Sequence, residues 1–320
     1  MNNYRDDPLV KGAVCALEQQ IADTVEFVTR AEATLANLPF GDCARARTIE
    51  WLDEVAVDAP QTAEAIKGIL DEGVLAIARL LTSALDHAYG LRALLTDPRG
   101  LLSSPYGTAR ALLEAVLQAC FILDPWIPPN DRVLRMLAYR VATVEGQLST
   151  LDAFGKAADQ TSRARITSAI EGLHGWLDRY GFGRDPEKRS VLATRRIGYR
   201  GRWVALEFNV TAAATKYMPN DSFFYAVLSG AAHGRGWFLA GHYGLDGGET
   251  GASRADVATS SALLTLSLSD ALVEVLGRHV GVAYESVLRK THRRRVMLSA
   301  LPGTGPSLSV SFEDYHARAL

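Results

Sequence analysis

The sequence predicts an all-α protein, a multi-helix bundle with an N-terminal helical layer. Apolar residues recur every three or four positions through almost all of the 320 residues, which is the period of an amphipathic helix. Runs that alternate cleanly over the length of a strand are lacking, and only 203–208 and 308–312 have the composition of short strands. With 48% hydrophobic and 22% charged residues, the chain has the composition of a globular protein.

Capping and breaking residues set the predicted helix bounds. Pro39 and Gly41 end the first helix, because neither residue continues a helix easily. Ser104 and Pro105 make a favourable start, a cap followed by proline in the first turn. In order, the predicted helices cover about residues 8–37, 44–57, 60–95, 105–123, 131–154, 160–180, 209–217, 221–232 and 254–290.

Proline and glycine also mark the predicted domain boundaries. The break at 96–100 separates an N-terminal helical layer or cap, residues 1–100, from a bundle core at 101–300. A second break at 302–306 precedes a C-terminal tail, residues 301–320. A homo-oligomer is compatible with this architecture.

Composition and the chain start bear on location and cofactors. No apolar core of a signal peptide follows the N-terminus, so we expect a cytoplasmic protein. The apolar stretches 74–95 and 262–284 carry charges, so we expect no membrane span. Cys15, Cys43 and Cys120 lack metal-ligand spacing, and no phosphate loop or dinucleotide motif is present. We therefore expect reduced thiols, no metal and no cofactor.

A polar stripe marks the segment 225–237. In a helix, Tyr225, Ser229 and His233 fall on one line with four-residue spacing, among apolar or very small residues. Gly234 follows the histidine, and glycine favours a helix end, so we expect the imidazole near the negative pole of the helix dipole and its protonated form to be favoured.

A second polar stripe lies on the predicted helix 105–123. Its residues from Ala109 onward are apolar or small except Arg110, Glu114 and Gln118, so the helix is predicted to be buried nearly all round. Buried polar groups need partners, and the Tyr225 stripe has the matching pitch. We expect the two stripes to face each other.

Two interpretations of the facing stripes remain open. In the first, Glu114 pairs with Arg110 and accepts a hydrogen bond from Tyr225 or His233, which gives specificity of packing and no chemistry. In the second, Glu114 and His233 form an acid/base pair, with Ser229 as a further candidate catalytic residue and Tyr225 and Arg110 as candidate binding residues.

Several other segments carry weaker signals. Within the basic stretch 184–202, Arg195, Arg196 and Arg200 are candidate phosphate contacts, and the alternative is a solvated loop that pairs with the acidic N-terminal third. The run 292–295, His-Arg-Arg-Arg, is interpreted as a solvated helix end. Glu171-x-x-His174 matches half of a helical di-iron signature, but the second half is missing.

Three segments carry a resemblance to known proteins. They are Tyr-x-x-Leu-Ser-x-x-x-His-Gly at 225–234, Arg-x-Leu-Leu-Glu-Ala at 110–115 and Leu-Asp-Pro at 123–125. Together they resemble a group of actinobacterial helical proteins of unassigned activity, over about residues 105–245. The first segment also resembles the last helix of HEPN-like bundles, which include ribonuclease toxins, defence proteins and nucleotide-binding modules.

The catalytic HEPN signature is an arginine four to six residues before a histidine. No arginine lies at that distance before His233, whereas Arg235 precedes His242 with six residues between them. In a chain this rich in arginine, such a spacing arises by chance and carries no weight. The resemblance implies the helical fold and the face that bears the site.

These observations lead to three hypotheses about function. The first is a HEPN-like helical protein that acts on or binds RNA or a nucleotide. The second is a non-catalytic helical scaffold or interaction partner in a defence or regulatory system. The third is an enzyme for a small apolar substrate, with Trp237, Phe238 and Tyr243 as pocket walls and Trp237 as a candidate binding residue.

Overall fold

A computed structural model describes residues 7–35, 41–99, 101–153, 159–186, 194–235 and 253–300. Within these ranges the protein is all-α apart from one small sheet, as predicted. The helices are α1 (Pro8–Leu35), α2 (Ala44–Asp58), α3 (Pro60–Thr96), α4 (Ser104–Leu123), α5 (Pro129–Ala153), α6 (Gln160–Arg179), α7 (Val210–Tyr217), α8 (Phe223–Ala232), α9 (Arg254–Val280) and α10 (Glu285–Ser299), and the strands are β1 (Gly183–Pro186), β2 (Thr194–Tyr199) and β3 (Arg202–Ala205).

The chain divides into two compact units that interleave along the sequence. Unit 1 comprises Met1–Pro39, Arg79–Cys120 and Val210–Leu320, and unit 2 comprises Phe40–Ala78 and Phe121–Asn209. The chain passes from one unit to the other after residues 39, 78, 120 and 209. Since α1 packs most extensively on α9, the first and the last parts of the chain share one core.

The centre of unit 1 is α9. Most of its side chains are buried, including Val257, Leu266, Val273 and Val280. A capping box starts the helix, because Ser253 Oγ accepts from the Asp256 N–H and the Asp256 carboxylate accepts from the Ser253 N–H. Both α1 and α10 pack against it.

A break at Gly281 divides what the sequence predicted as one helix, 254–290. Gly281 has φ 81°, in the left-handed region, and its N–H donates to the Gly277 carbonyl as a helix C-cap. The chain then turns, and α10 begins at Glu285 and continues to Ser299. The prediction of a continuous helix was wrong because a single glycine inside a helical pattern does not reveal its φ.

Unit 2 is organised around α5. This helix contacts α2, α6 and the strands β2 and β3, and its buried face includes Val133, Leu137 and Val141. The sheet is antiparallel with the order β1-β2-β3. Arg200 and Gly201 have φ 48° and 80° and connect β2 to β3 through a two-residue turn of the type that requires positive φ at both central positions.

The sheet corrects the interpretation of the basic stretch 184–202 as a loop. β3 overlaps the short strand expected at 203–208, whereas β1 and β2 were not predicted, and 308–312 lies outside the described residues. Thr194 is buried, the next two residues are exposed and the last three of β2 are buried. This order has no period of two, so the usual strand signal is missing.

Within the described ranges, two helices have the length and apolar composition that a membrane span requires. In α9, 83% of the apolar window is buried inside the protein, and in α4 the share is 56%. Burial of this kind is the pattern of a core helix, so the two helices are weak evidence for a membrane location.

Candidate functional site

His233 caps the C-terminus of α8. Its N–H donates to the carbonyls of Ser229 and Ala231, and Gly234 follows with φ 57°. The left-handed glycine ends the helix, as expected, and turns the chain so that the Arg235 N–H reaches the Gly230 carbonyl at 2.9 Å. The cap position leaves the His233 side chain exposed.

The polar stripe on α4 is the half-buried edge of an otherwise buried helix. Arg110, Glu114 and Gln118 are partly exposed, while their neighbours Leu113, Val116 and Leu117 are buried. The side chain of Arg110 is 21% exposed and that of Glu114 is 41% exposed. The stripe therefore reaches solvent, and its members are not fully desolvated.

Arg110 joins the two stripes within unit 1. Its Nε donates to Glu114 Oε1 at 2.8 Å, and its Nη1 contacts His233 Nε2 at 2.9 Å. The guanidinium also lies over the Tyr225 ring, with 5.9 Å between the guanidinium carbon and the ring centroid. The structure thus brings four of the sequence-predicted residues together; they are Arg110, Glu114, Tyr225 and His233.

The contact with Arg110 determines which imidazole nitrogen carries the proton. A guanidinium has only donors, so His233 Nε2 must accept and is unprotonated in this arrangement. In this contact the imidazole proton lies on Nδ1. The expectation that the helix end favours the protonated form of His233 stays a prediction.

The direct acid/base pair of Glu114 and His233 does not form. Both side chains bind the same guanidinium from different sides, so Arg110 stands between them. Ser229 lies on α8 one turn before His233, and its carbonyl accepts the His233 N–H at 3.1 Å. The recorded role of Ser229 is therefore in the backbone of the cap.

The candidate phosphate contacts belong to unit 2. Arg196 donates to Asp185 Oδ2 through Nε at 3.0 Å and Nη2 at 2.7 Å, and Arg200 lies 3.9 Å from Asp58 Oδ2. Arg195 is exposed. Arg196 and Arg200 are thus paired with carboxylates of unit 2. This pairing weakens their assignment as phosphate contacts.

Several predicted residues lie outside the described part of the chain. They are Trp237, Phe238, His242 and Tyr243. The pocket walls expected from the aromatic residues therefore stay a prediction, as does any role of His242.

Sequence reasoning missed a buried cluster in unit 2. Glu145 of α5 accepts from the Thr194 N–H at 2.8 Å through Oε2 and from Thr194 Oγ1 at 2.7 Å through Oε1, and Oε1 also contacts His174 Nε2 at 3.0 Å. The partner of His174 is thus Glu145, and Glu171 is exposed. The one sequence signal for this cluster was a polar residue, Glu145, on a helix with an apolar face. Its partners are distant in sequence, so no local pattern predicted the contacts.

A second missed cluster lies in unit 1, where α10 meets α9. Arg295 donates to Ser267 Oγ at 2.8 Å and to Asp270 Oδ2 at 3.2 Å, and it also contacts Asp221 Oδ2 at 3.4 Å. Burial raises the pKa of Asp270 to about 6, against the opposite effects of Arg295 and Thr291. The 292–295 run is therefore only partly a solvated helix end, because Arg295 points into the protein.

Neither metal-binding groups nor comparisons with known proteins indicate a function. Over the described ranges, no group of three or more His, Cys, Asp or Glu side chains is arranged to hold a metal ion. No protein-family profile matches this chain, and no curated protein or solved structure shows significant similarity to it. The candidate site is the cluster formed by Arg110, Glu114, Tyr225 and His233, called the Arg110 cluster below.

Proposed function

We propose that this protein binds RNA or a nucleotide at the Arg110 cluster, with His233 as the proton acceptor. The observation that carries the proposal is the 2.9 Å contact between Arg110 Nη1 and Nε2 of an exposed histidine. An arginine and a neutral imidazole at hydrogen-bond distance are the two groups that recognise a phosphate and take a proton from a hydroxyl beside it.

Arg110 has the geometry for phosphate recognition. Glu114 holds its Nε, which fixes the plane of the guanidinium and directs the Nη groups away from α4. Nη2 has no hydrogen-bond partner among the described residues. A phosphate oxygen that approaches this side gains a charge-assisted hydrogen bond without breaking the contact with Glu114.

Tyr225 adds an aromatic surface next to the guanidinium. The side chain is partly exposed, and its ring lies beneath Arg110. Aromatic rings and guanidinium planes both stack on nucleobases, and a stack on an aromatic ring contributes about 1–3 kcal/mol. The cluster thus combines contacts for a phosphate and for a base.

His233 supplies the acid/base chemistry for an RNA ligand. When Arg110 Nη1 leaves Nε2 for a phosphate oxygen while Nε keeps its contact with Glu114, Nε2 is free to accept the proton of the adjacent 2′-hydroxyl. The 2′-oxygen then forms a bond to phosphorus, the bond from phosphorus to the 5′-oxygen breaks, and the leaving 5′-oxygen takes a proton from water. The products are a 2′,3′-cyclic phosphate and a free 5′-hydroxyl, and His233 returns its proton to solvent.

The test compares labelled RNA incubated with the parent, Arg110→Ala, His233→Ala and His242→Ala. We expect cleavage by the parent, and its loss in Arg110→Ala and His233→Ala but not in His242→Ala. RNA binding should persist in His233→Ala and weaken at least tenfold in Arg110→Ala, since each lost charge-assisted contact costs about 1.5–3 kcal/mol. Loss of cleavage in His242→Ala alone would move the activity to a different histidine.

The chain offers a matched control for Arg110. Arg278 of α9 pairs with Glu274 one turn away at 3.0 Å, and its guanidinium lies 5.7 Å from the centroid of the Tyr284 ring. This arrangement repeats the arginine, glutamate and tyrosine of the Arg110 cluster on α9 and at the start of α10. Arg278 is not part of the proposed site, so Arg278→Ala should leave RNA binding unchanged.

The same likeness favours a second candidate function. Arg278, Glu274 and Tyr284 repeat the pattern elsewhere in unit 1, as packing contacts recur. In this alternative the Arg110 cluster is only a packing contact in a non-catalytic scaffold. Absence of RNA and nucleotide binding by the parent would support this alternative. The third hypothesis, an enzyme for a small apolar substrate, gains no support from the described residues.

A further inference from the structure

Trp203 of β3 lies on the outer face of the small sheet in unit 2. Gly183, Gly198 and Trp203 are direct cross-strand partners on β1, β2 and β3, so all three share one face of the sheet. Ile197 and Tyr199 of β2 belong to the opposite face and are buried. Trp203 is 48% exposed, so the face that carries it meets solvent.

The indole ring lies flat against the backbone of two strands. A Cβ added at Gly183 would lie 2.9 Å from Trp203 Cη2, and one at Gly198 would lie 2.6 Å from Trp203 Cδ2. These two ring atoms are opposite corners of the six-membered ring, so the ring extends across both glycines. Glycine in a strand often marks such a close approach. One face of the ring thus rests on the glycines, and the other face is turned to solvent.

Arg196 is held beside this ring. It precedes Gly198 by two residues and therefore lies on the same face of β2. Its Nε and Nη2 donate to Asp185 Oδ2 at 3.0 and 2.7 Å, and its guanidinium carbon lies 5.6 Å from the centroid of the Trp203 ring. Asp185 offsets the charge of Arg196, but Nη1 donates to no described residue. The aromatic surface therefore has a hydrogen-bond donor at its border.

The stretch that contains this face has an excess of positive charge. Residues 184–202 include seven arginines and lysines and two acidic residues. Arg195, next to Arg196 on β2, is exposed and has no carboxylate partner within the described ranges. Exposed cations of this kind attract a polyanion and speed its association. The sheet is thus complementary in charge to a polyanion.

A single nucleic-acid strand combines the two groups that this surface accepts. Its bases stack on aromatic faces, and its phosphates are attracted by arginines. An acidic peptide carries the charge without a flat ring at each charged unit, and a neutral sugar can stack but brings no charge. In a duplex the bases stack on one another, so only the phosphates remain for contact. The unpaired strand fits both features.

We propose that the outer face of the sheet binds single-stranded nucleic acid, with one base stacked on Trp203 and the phosphates attracted by Arg195. The contact involves the face of the base and the phosphates, so RNA and DNA strands share it. The site lies wholly in unit 2 and does not use the Arg110 cluster. It therefore goes beyond the proposed function, and each of the two can fail without the other.

The first test follows the indole N–H signals of the five tryptophans by NMR, and the spectrum of Trp203→Phe assigns the Trp203 signal. Titration with oligothymidylate of about twelve nucleotides should shift this signal saturably, because the base stacks on the ring. Trp126 is the matched control, since it lies in unit 2 and is 47% exposed, and its signal should not move. A Trp203 signal that stays in place would overturn the proposal.

Two other polyanions sharpen this test. Polyglutamate should leave the Trp203 signal unchanged, and a DNA duplex should require at least about a tenfold higher concentration for the same shift, since its bases are already stacked. Equal shifts with polyglutamate or with the duplex would overturn the assignment to an unpaired strand. Oligouridylate should act as oligothymidylate does.

The second test measures oligothymidylate binding by fluorescence anisotropy in the Arg110→Ala background, which removes the contact proposed in unit 1. Trp203→Leu keeps an apolar cover over the glycines but loses the aromatic face. Its binding should weaken about tenfold, which corresponds to about 1.4 kcal/mol. Trp126→Leu should bind as the background does. Equal affinities of Trp203→Leu and Trp126→Leu would contradict the stack.

Arg195→Gln tests the electrostatic part of the site. Its binding should weaken and depend less on salt, because one fewer counterion is released. Arg165→Gln is the matched control: Arg165 is also exposed without a partner among the described residues, but it lies near the start of α6, whereas β1 follows the end of that helix. Equal salt dependence of the two variants would overturn the role of Arg195.

The Trp203 signal also separates this proposal from the one in unit 1. If it shifts in Arg110→Ala as in the parent, the sheet binds the strand without the Arg110 cluster. If it stays in place while Arg110→Ala loses RNA binding, the sheet site is refuted and the Arg110 cluster stands alone.

Discussion

Arg295 donates a hydrogen bond to Asp270 at 3.2 Å, and yet the pKa of Asp270 is raised to about 6. Burial therefore outweighs the attraction of the arginine. One oxygen of Asp270, Oδ1, is buried without a hydrogen-bond partner among the described residues, which explains why the charged form is costly. The pair is a source of pH-dependent stability in unit 1.

The stability contributed by Asp270 should fall as the pH rises. Below about pH 4 the carboxyl is protonated in both the folded and the unfolded chain, and no penalty arises. Between about pH 4 and 6 the unfolded chain ionises first, so stability decreases until the folded carboxyl also ionises. Asp270→Asn removes this effect, and its stability relative to the parent should rise by about 1–3 kcal/mol across this range.

Urea denaturation at half-unit pH steps measures this difference. Asp86→Asn removes an exposed carboxylate from the same unit and is the control for the loss of one surface charge. A constant difference between Asp270→Asn and the parent from pH 4 to pH 7 would show that Asp270 does not titrate in this window.

Glu114→Ala and His233→Ala should each cost less than about 1 kcal/mol of stability. Glu114 is 41% exposed and His233 is exposed, so solvent screens their interactions with Arg110. Chemical denaturation of the two variants and their double mutant measures both costs and their coupling. Losses of several kcal/mol with strong non-additivity would instead indicate a buried structural ladder.

Glu145→Ala should be far more costly, at about 2–4 kcal/mol. The change removes the acceptor of the Thr194 N–H and hydroxyl and leaves His174 without its recorded partner in the interior. Glu171→Ala is the matched control on α6, and it should cost less than about 0.5 kcal/mol because Glu171 is exposed. Equal unfolding midpoints for the two variants would refute the assigned role of Glu145.

Two glycine substitutions should have opposite effects on the free energy of unfolding. An added Cβ at Gly277 would lie 2.5 Å from Tyr284 Cδ1, whereas nothing lies within 4 Å of a Cβ at Gly172. Gly277→Ala should therefore destabilise by about 1–3 kcal/mol, and Gly172→Ala should stabilise α6 by about 0.5–1 kcal/mol. Thermal scans of both variants show the signs directly, and stabilisation by Gly277→Ala would mean that Tyr284 moves aside freely.

The helices could be predicted from the sequence because their signals are local. Ser104 and Pro105 mark the start of α4, and the apolar period identifies its buried face. The stripe of Arg110, Glu114 and Gln118 was likewise visible as polar residues at helical spacing. Its meeting with Tyr225 and His233 followed from the need to pair buried polar groups, and the structure brings Arg110 into contact with both.

The remaining features depend on contacts between distant segments. The periodicity of α4 shows which residues share a face, but not which side chain reaches a neighbouring helix. It therefore could not predict that Arg110 contacts both Glu114 and His233. Arg295 belongs to a run that looks solvated, but its partners come from α9 and from Asp221. Arg132 of α5 is fully buried, and only the packing of distant segments shows this.

The pairing of α1 with α9 has a consequence for how the chain is made. Gln20 Nε2 donates to Ser269 Oγ at 2.5 Å across 249 positions, so α1 meets its partner only when the C-terminal helices have left the ribosome. Unit 2, which ends at Asn209, is synthesised completely before that point. The apolar face of α1 therefore lacks its α9 partner through most of translation, and exposed apolar surface of this kind favours aggregation.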